Sequence, residues 1–280
     1  MSYKDRYDVV VIGAGPGGYV CAIRASQNGL KTAIVDKQWL GGVCLNVGCI
    51  PSKALLKNAE LAHTLRERSK EFGISFDNLQ LDYSAAVERS RKVSKRLTQG
   101  VGFLMKKNNI TVLMGTAKLT GKDSLQVSDA QGGVQNLTAK NIILATGSHP
   151  ANIPGVELDG EKVLTYKEAI LQTKRPESAV IIGAGAIGVE FATVWNSYGA
   201  KVAIVEMLPR ILPLEDEEVS AELTKAFKKR EIELLTGHKV RAVEATGSGV
   251  KVTVADESGE KVLEAEQALL SANRELIGRM

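Results

Sequence analysis

Aromatic residues make up only 5% of this 280-residue chain, so the composition is poor in the stacking platforms on which single-stranded nucleic acids bind. No basic tail exists: 36 Lys and Arg stand against 32 Asp and Glu, both signs interspersed, for a net charge of +4. The one locally basic stretch, residues 89–96, reads as the solvated face of a helix. No apolar run approaches the ~20 residues that span a bilayer, and the apolar start at residues 9–12 breaks at Gly13. The N-terminus enters a strand almost at once, without the charged, apolar and cleavage regions of a secretion signal. Three cysteines cannot make a secreted disulfide framework. They point instead to a cytoplasmic, reducing compartment, where a persistent structural disulfide is rare and a catalytic one is not. Hydrophobic residues at 44% and charged residues at 24% supply an ordinary globular core, and the length suits one large or two ordinary domains.

The strongest organisational signal is an internal echo. The β-branched run at residues 7–12 leads into Gly13-Ala14-Gly15-Pro16-Gly17-Gly18, and the run at 179–182 leads into Gly183-Ala184-Gly185-Ala186-Ile187-Gly188. Each continues as a helical pattern, then Gly29 or Gly199, then a second apolar strand ending on an acid, Asp36 or Glu206. The same spacing separates Gly13 from Asp36 and Gly183 from Glu206. Two βαβ units built alike predict an α/β protein of two Rossmann-like dinucleotide-binding domains, three-layered, with β-meanders. Helices are expected over 52–65, 83–108 and 215–230, and strands at 110–114, 124–128 and 141–145, with further strands between 233 and 270. The Pro- and Gly-bearing stretch 149–155 has linker composition. It divides the chain into 1–150 and 151–280.

Each fingerprint glycine has a mechanical reason. Gly13 and Gly183 permit the tight strand-to-helix turn, Gly15 and Gly185 let the backbone approach a pyrophosphate, and Gly18 and Gly188 allow close helix–strand packing. The helix N-terminus then offers amide N–H groups and a partial positive charge to the phosphates. Asp36 and Glu206 stand where a ribose hydroxyl is recognised. Glu206 favours NAD over NADP, because a carboxylate repels a 2′-phosphate, although Arg210 lies close by.

Between the fingerprints, Cys44 and Cys49 lie in Gly41-Gly42-Val43-Cys44-Leu45-Asn46-Val47-Gly48-Cys49-Ile50-Pro51-Ser52-Lys53. A disulfide needs Cα atoms within ~7 Å. Residues i and i+5 of a regular helix are roughly 8–9 Å apart, so the pair closes only where the backbone departs from ideal helix. Gly48 allows that departure, and Pro51 just after cannot donate a backbone N–H. Three readings are open: a redox dithiol, two inert thiols, or part of a metal site. A metal site lacks further ligands at suitable spacing, and the neighbouring fingerprint favours the dithiol. Lys53 is a candidate for the positive charge that would hold a thiolate. Cys21, inside the first helix, reads as a small core residue.

The 41–53 run resembles the active-site signature of the two-cysteine flavoprotein disulfide reductases, and within them the dihydrolipoamide dehydrogenases. Glutathione and mercuric reductases usually show Val where this chain has Leu45 and Ile50, soluble transhydrogenases lack the pair, and Val43 replaces the commoner Thr. The likeness extends over essentially the whole chain, including Gly115, the Ala145-Thr146-Gly147-Ser148 turn and Glu190. It implies FAD at the first fingerprint, held also by Asp36, Gly42, Lys53, Gly115, Thr146, Gly147 and Ser148. NAD is implied at the second, with Gly183, Gly185, Gly188, Glu190, Glu206 and Val240. By the same likeness Cys44 exchanges with the substrate dithiol, Cys49 lies against the flavin, and Lys53 pairs with Glu190. The implied reaction takes dihydrolipoamide and NAD+ to lipoamide and NADH. Electrons pass from the reduced pair through FAD, and no metal takes part. The implied partner is a lipoyl carrier domain of a 2-oxo acid dehydrogenase or glycine cleavage system, with no nucleic acid or membrane involved. Another disulfide reductase, such as a mercuric reductase, or a catalytically incompetent dinucleotide-binding fragment are the alternatives.

The family's chain is longer and dimeric. It completes the FAD domain and adds a dimerisation domain with a catalytic His–Glu pair. Those parts, and with them the dimer interface, are expected to be missing here. His149-Pro150 has only a surface likeness to the family's His element, since Pro154 stands where the Glu should fall, and His149 reads as a linker residue. The run to Arg274 resembles the strand entering the family's Gly-Arg turn, with Asn273 where Gly is usual. On this reading the chain is a truncated reading frame, a fragment or a partial gene product, expected to hold FAD weakly and to turn over dihydrolipoamide poorly or not at all.

Overall fold

The computed structural model describes residues 6–151, 153–271 and 274–277, so the Asn273 turn lies outside the described residues. The chain forms two compact units: residues 1–50, 91–149 and 276–280, and residues 51–90 with 150–275.

The first unit runs through β1 (Arg6–Ile12), α1 (Pro16–Gln27), β2 (Thr32–Asp36), α2 (Gly42–Asn46) and the first residues of α3 (Cys49–Glu67). It resumes within α4 (Tyr83–Lys107) and continues through β3 (Thr111–Met114), β4 (Thr116–Gly121), β5 (Ser124–Ser128) and β6 (Val134–Leu144) into the short β7 (Ser148–Pro150). Its six strands lie in the order β3-β2-β1-β6-β5-β4. The first four are parallel and the last three form an antiparallel meander. The long β6 serves both parts: Val134–Thr138 faces β5, and the strand from Thr138 on lies beside β1. β1 is buried over most of its length, as a strand covered on both faces must be, which is why its sequence is a continuous β-branched run. Val9, Val11 and Ile34 pack with Ala22 of α1 and Val101 and Met105 of α4. Val10 and Val35 pack on the other face against Leu125, Val127 and Leu137 of the meander.

The second unit carries β8 (Val163–Thr165), α5 (Tyr166–Ala169), β9 (Ser178–Ile182), α6 (Ala186–Ser197), β10 (Lys201–Glu206), α7 (Glu217–Lys229) and β11 (Glu233–Thr236). The strands β12 (Lys239–Ala245), β13 (Val250–Asp256), β14 (Gly259–Ala265) and β15 (Gln267–Leu270) follow, and then β16 (Arg274–Leu276). The five-stranded sheet, β11-β10-β9-β15-β8, is parallel throughout. β12–β14 form a separate antiparallel meander, and Val252 and Val254 from it pack with Val180, Ile182, Val205 and Leu270. The rest of α3 and the start of α4 pack in this unit. Tyr83 meets Tyr198 edge-to-face at 5.2 Å, and Arg66 donates to Ser197 O at 3.1 Å, placing a cation on the last carbonyls of α6. Among the described residues, no helix is long and apolar enough to cross a membrane.

Several elements depart from the sequence expectation. α3 begins at Cys49, not 52, because Pro51 falls in the first turn, where no intrahelical N–H bond is lost. β4 was not expected: Thr116–Gly121 is an almost fully exposed edge strand without apolar alternation. β8 and α5 were not expected either. β8 is only three residues, all buried, and its helix is announced by a capping box, Thr165 with Glu168.

Candidate functional site

Both glycine loops are built by the same interactions. Gly13 lies at φ +105° and Gly183 at φ +103°, a region that strains any residue with a Cβ. Each N–H donates to the neighbouring strand, to Val35 O at 2.7 Å and Val205 O at 2.8 Å. A Cβ on Gly18 would stand 1.7 Å from Gly13 O, and one on Gly188 would stand 2.1 Å from Gly183 O. Helix and turn are therefore in backbone contact. Gly15 and Gly185 cap α1 and α6 without any side-chain cap, so no side chain caps the first-turn N–H groups.

The two acids also match. Asp36 Oδ2 accepts from Ala14 N at 2.7 Å, and Glu206 Oε2 accepts from Ala184 N at 2.8 Å. Their second oxygens accept from Gln38 N and Trp39 N, and from Leu208 N. Each carboxylate is fixed to its own glycine loop and keeps lone pairs for a hydroxyl. Arg210 is held elsewhere: it pairs with Glu217 and donates at 3.3 Å to Pro213 O and Glu215 O.

These loops fit a dinucleotide. A Cβ placed on Gly185 or Gly147 would meet nothing within 4 Å, and one on Gly15 would meet only Gly42 Cα at 4.0 Å. The Gly185 side of the second loop is open, and neither helix N-terminus carries a side-chain cap. Gly115 has a structural reason of its own, since a Cβ there would strike Ser128 O at 2.6 Å. Thr146 Oγ1 donates to Ile277 O at 2.5 Å, and Ile277 N donates to Gly147 O at 2.9 Å, so the 146–148 turn is tied to the last described residue. Val240 sits half-buried in β12 opposite Val254.

The cysteines occupy a break between two helices. Cys44 belongs to α2, the chain leaves helical geometry at Val47 and Gly48, and Cys49 opens α3. Gly48 runs tightly over α2: a Cβ would lie 2.9 Å from Val43 O and 3.2 Å from Cys44 Cα. This close return brings the chain back onto Cys44 just before Cys49. The loop is seated on the first fingerprint. Gly41 N donates to Ala14 O at 2.9 Å, and a Cβ on Gly42 would stand 2.6 Å from Gly15 Cα. All three cysteines are thiols; Cys21 and Cys44 are half-buried and Cys49 is exposed. Cys21 packs at the margin of the core. Iodoacetamide is therefore expected to modify Cys49 ahead of Cys44, as read by peptide mass analysis, and faster labelling of Cys44 would contradict it.

In the second unit Lys53 pairs with Glu190, with side chains 61% and 24% exposed. At that exposure the pair holds little folding energy. Glu190→Gln is expected to change stability by less than about 1 kcal/mol in a urea titration, and a larger loss would make the pair structural.

Two residues that the motif reading passed over brace the thiol loop. Asn46 Nδ2 donates to Leu40 O at 3.0 Å and Gly42 O at 2.8 Å. Arg91 Nη1 donates to Asn46 O at 2.6 Å. In the 89–96 stretch Lys92, Lys95 and Arg96 are solvated, whereas Arg89 donates to Ala54 O and Arg91 turns inward. The available signal was spacing: Arg91 flanks the buried stripe of Val87, Ser90 and Ser94 on α4. Among the described residues, no group of three or more His, Cys, Asp and Glu could hold a metal ion.

Comparison with known proteins bears on this arrangement. The profile of the family described as pyridine nucleotide-disulphide oxidoreductase matches residues 7–275. Dihydrolipoyl dehydrogenase of Mycobacterium leprae is 51% identical over 267 residues, covering 94% of this chain and 57% of that protein. Dihydrolipoyl dehydrogenase of Corynebacterium glutamicum is 46% identical over 257 residues, covering 92% and 54%. The chain thus spans a little over half the length of these relatives. In fold it is similar to LpdA of Mycobacterium tuberculosis, with TM-score 0.87 and 24% identity over 96% of this chain and 58% of that one. It is similar also to the HOCl-induced flavoprotein disulfide reductase RclA of Escherichia coli, with TM-score 0.80 and 24% identity over 96% and 57%.

Proposed function

The chain belongs to the pyridine nucleotide-disulphide oxidoreductase family, and from that premise we propose that it carries the dithiol and dinucleotide sites of a dihydrolipoamide:NAD+ oxidoreductase. The observation that carries this reading is the seating of the thiol loop on the first glycine loop, through Gly41 N to Ala14 O and the contact of Gly42 with Gly15. A redox pair built directly on a phosphate-binding turn places sulfur chemistry beside a dinucleotide. The 51% identity to a dihydrolipoyl dehydrogenase supports the substrate class.

Residues 1–150 then form the FAD-binding part and 151–280 the NAD-binding part. Gly13, Gly15, Gly18, Asp36, Gly42, Lys53, Gly115, Thr146, Gly147 and Ser148 serve FAD. Gly183, Gly185, Gly188, Glu190, Glu206 and Val240 serve NAD. The uncapped amides of α1 and α6 take the phosphates, and Asp36 and Glu206 take ribose hydroxyls. A bound flavin supplies a two-electron relay between the thiol pair and the nicotinamide.

The chain's own step is thiol–disulfide exchange. A thiolate of dihydrolipoamide attacks the oxidised pair at Cys44 and a mixed disulfide forms as the Cys44–Cys49 bond breaks. The second substrate thiol then closes the lipoamide ring. The substrate loses two electrons and two protons, and Cys44 and Cys49 end as thiols. The donor is a lipoyl carrier domain in a cytoplasmic 2-oxo acid dehydrogenase or glycine cleavage system.

The test is to add FAD to the purified chain, remove unbound flavin, record the visible spectrum and then supply dihydrolipoamide with NAD+. Weakly retained flavin together with slow oxidation of dihydrolipoamide is the expected result, and stoichiometric flavin with full NADH production would refute the expected weakness of this chain. Flavin retained without exchange would leave a dinucleotide-binding fragment, and preference for glutathione disulfide or mercuric ion would make it another reductase. Because Glu206 faces the ribose position and Arg210 is engaged by Glu217, NADP+ is expected to bind at least about tenfold more weakly than NAD+. Competition against NADH fluorescence measures this, and equal affinities would overturn it.

A further inference from the structure

We infer that Arg91 is a positioning residue that sets the redox equilibrium of the Cys44–Cys49 pair by clamping the backbone between the two thiols. The inference rests on the dithiol reading above. Arg91 projects from α4 and donates through Nη1 to Asn46 O at 2.6 Å, and through Nη2 to Ser94 Oγ at 2.6 Å. Ser94 is buried, so the second contact anchors the guanidinium to the helix that carries it. Asn46 is the last residue of α2 and lies between the cysteines, one residue before the chain breaks out of helix. Its side chain already ties this segment to Leu40 O and Gly42 O. Arg91 adds a charged hold from a separate element on a carbonyl left without an intrahelical partner at the end of α2. The buried Nε finds no hydrogen-bond partner in the described structure. A rigid fork held at two of its nitrogens fixes its target more narrowly than a flexible ammonium can.

The consequence for chemistry is one of distance. Cysteine bridging tolerates only a narrow range of Cα separation, and this pair has to bridge across a helix break. Any freedom in residues 45–48 dilutes one thiol with respect to the other and weakens the disulfide against the dithiol. The half-reaction is balanced by a glutathione buffer. The two cysteines lose two electrons and two protons as their S–S bond forms, and glutathione disulfide gains them as two molecules of glutathione.

The experiment equilibrates the purified flavin-free chain in glutathione buffers of graded potential, traps thiols by alkylation and reads the bridged fraction by mass. Arg91→Met is expected to lower the equilibrium constant for bridging about tenfold, a midpoint about 30 mV less negative. Arg91→Lys, which keeps the charge but cannot span both partners, should recover part of that shift. Ser94→Ala leaves Arg91 in place with one anchor removed. It should move the midpoint in the same direction by a smaller amount, and it serves where Arg91→Met fails to fold. A midpoint equal to wild type in Ser94→Ala and in every folded Arg91 variant overturns the inference and leaves the dithiol reading intact. A wild-type pair that forms no bridge at any potential overturns the dithiol reading itself, and with it the need for a clamp.

Discussion

A chain carrying Cys44→Ser is expected to form no internal disulfide and to lose exchange with dihydrolipoamide by at least about a thousandfold, because exchange needs a thiolate and a serine hydroxyl is a far weaker nucleophile. The fold should tolerate the change. Cys44 is half-buried at the edge of the core formed by Val9, Val11 and Ile34, and oxygen occupies less space than sulfur. The two cysteines can be told apart in the flavin-loaded protein. Given glutathione disulfide, Cys49→Ser should accumulate a mixed disulfide with glutathione on Cys44 as one glutathione leaves, since no second protein thiol remains to release it. Cys44→Ser should accumulate none. Cys49 is the more exposed of the two, so the roles depend on what covers Cys49. An adduct on Cys49 in flavin-loaded Cys44→Ser would exchange the assignments, and wild-type rates in either variant would remove the pair from the reaction.

The parts of the molecule that were legible in its sequence are those whose signal is local and repeated. The β1 and β9 runs, their glycine turns and the acids at 36 and 206 were readable because turn chemistry and strand burial act within a few residues. The break between α2 and α3 was readable because a bridge at i and i+5 contradicts regular helix, and Gly48 offered the release. Other features were not legible because their cause lies in another part of the chain. β4 is a strand only because β5 pairs with it, and its exposed Thr, Lys and Thr carry no apolar period. β8 is three residues wedged beside β15, too short for a pattern, although Thr165 and Glu168 marked the helix behind it. Arg91 was hidden by company: among five neighbouring cations, nothing in composition separates the one that turns toward Asn46 O from those that face water. The helical stripe through Val87, Ser90 and Ser94 does separate it, once α4 is known to bury that face. Glu190 was named only through a family likeness, because its pairing with Lys53 spans a sequence distance that no local pattern reports.

Gly18→Ala is expected to be the most damaging single methyl group in the first unit. Its Cβ would lie 1.7 Å from Gly13 O and 3.4 Å from Val11 Cγ1. Backbone cannot yield as a flexible side chain does, and Gly13 is itself held at φ +105° by its bond to Val35 O and by Ala145 O packed behind it. Relief therefore requires α1 to move off β1, opening the contact between Ala22 and Val9, Val11 and Ile34. Overpacking of this kind costs about 3 kcal/mol, enough to lower the urea midpoint plainly and to remove flavin retention, since the amides of α1 leave their positions. The neighbouring glycine supplies the control. A Cβ on Gly17 would meet nothing within 4 Å, so Gly17→Ala should be neutral or, through helix propensity, stabilising by up to about 1 kcal/mol. Gly188→Ala repeats the experiment in the second unit, where the Cβ would meet Gly183 O at 2.1 Å and Ser271 Oγ at 2.8 Å. It should impair NADH binding while leaving the labelling of Cys44 and Cys49 unchanged. If Gly18→Ala and Gly17→Ala unfold at the same urea concentration, the helix is not locked to the turn through Gly13 O, and the close approach is not what holds the phosphate loop in shape.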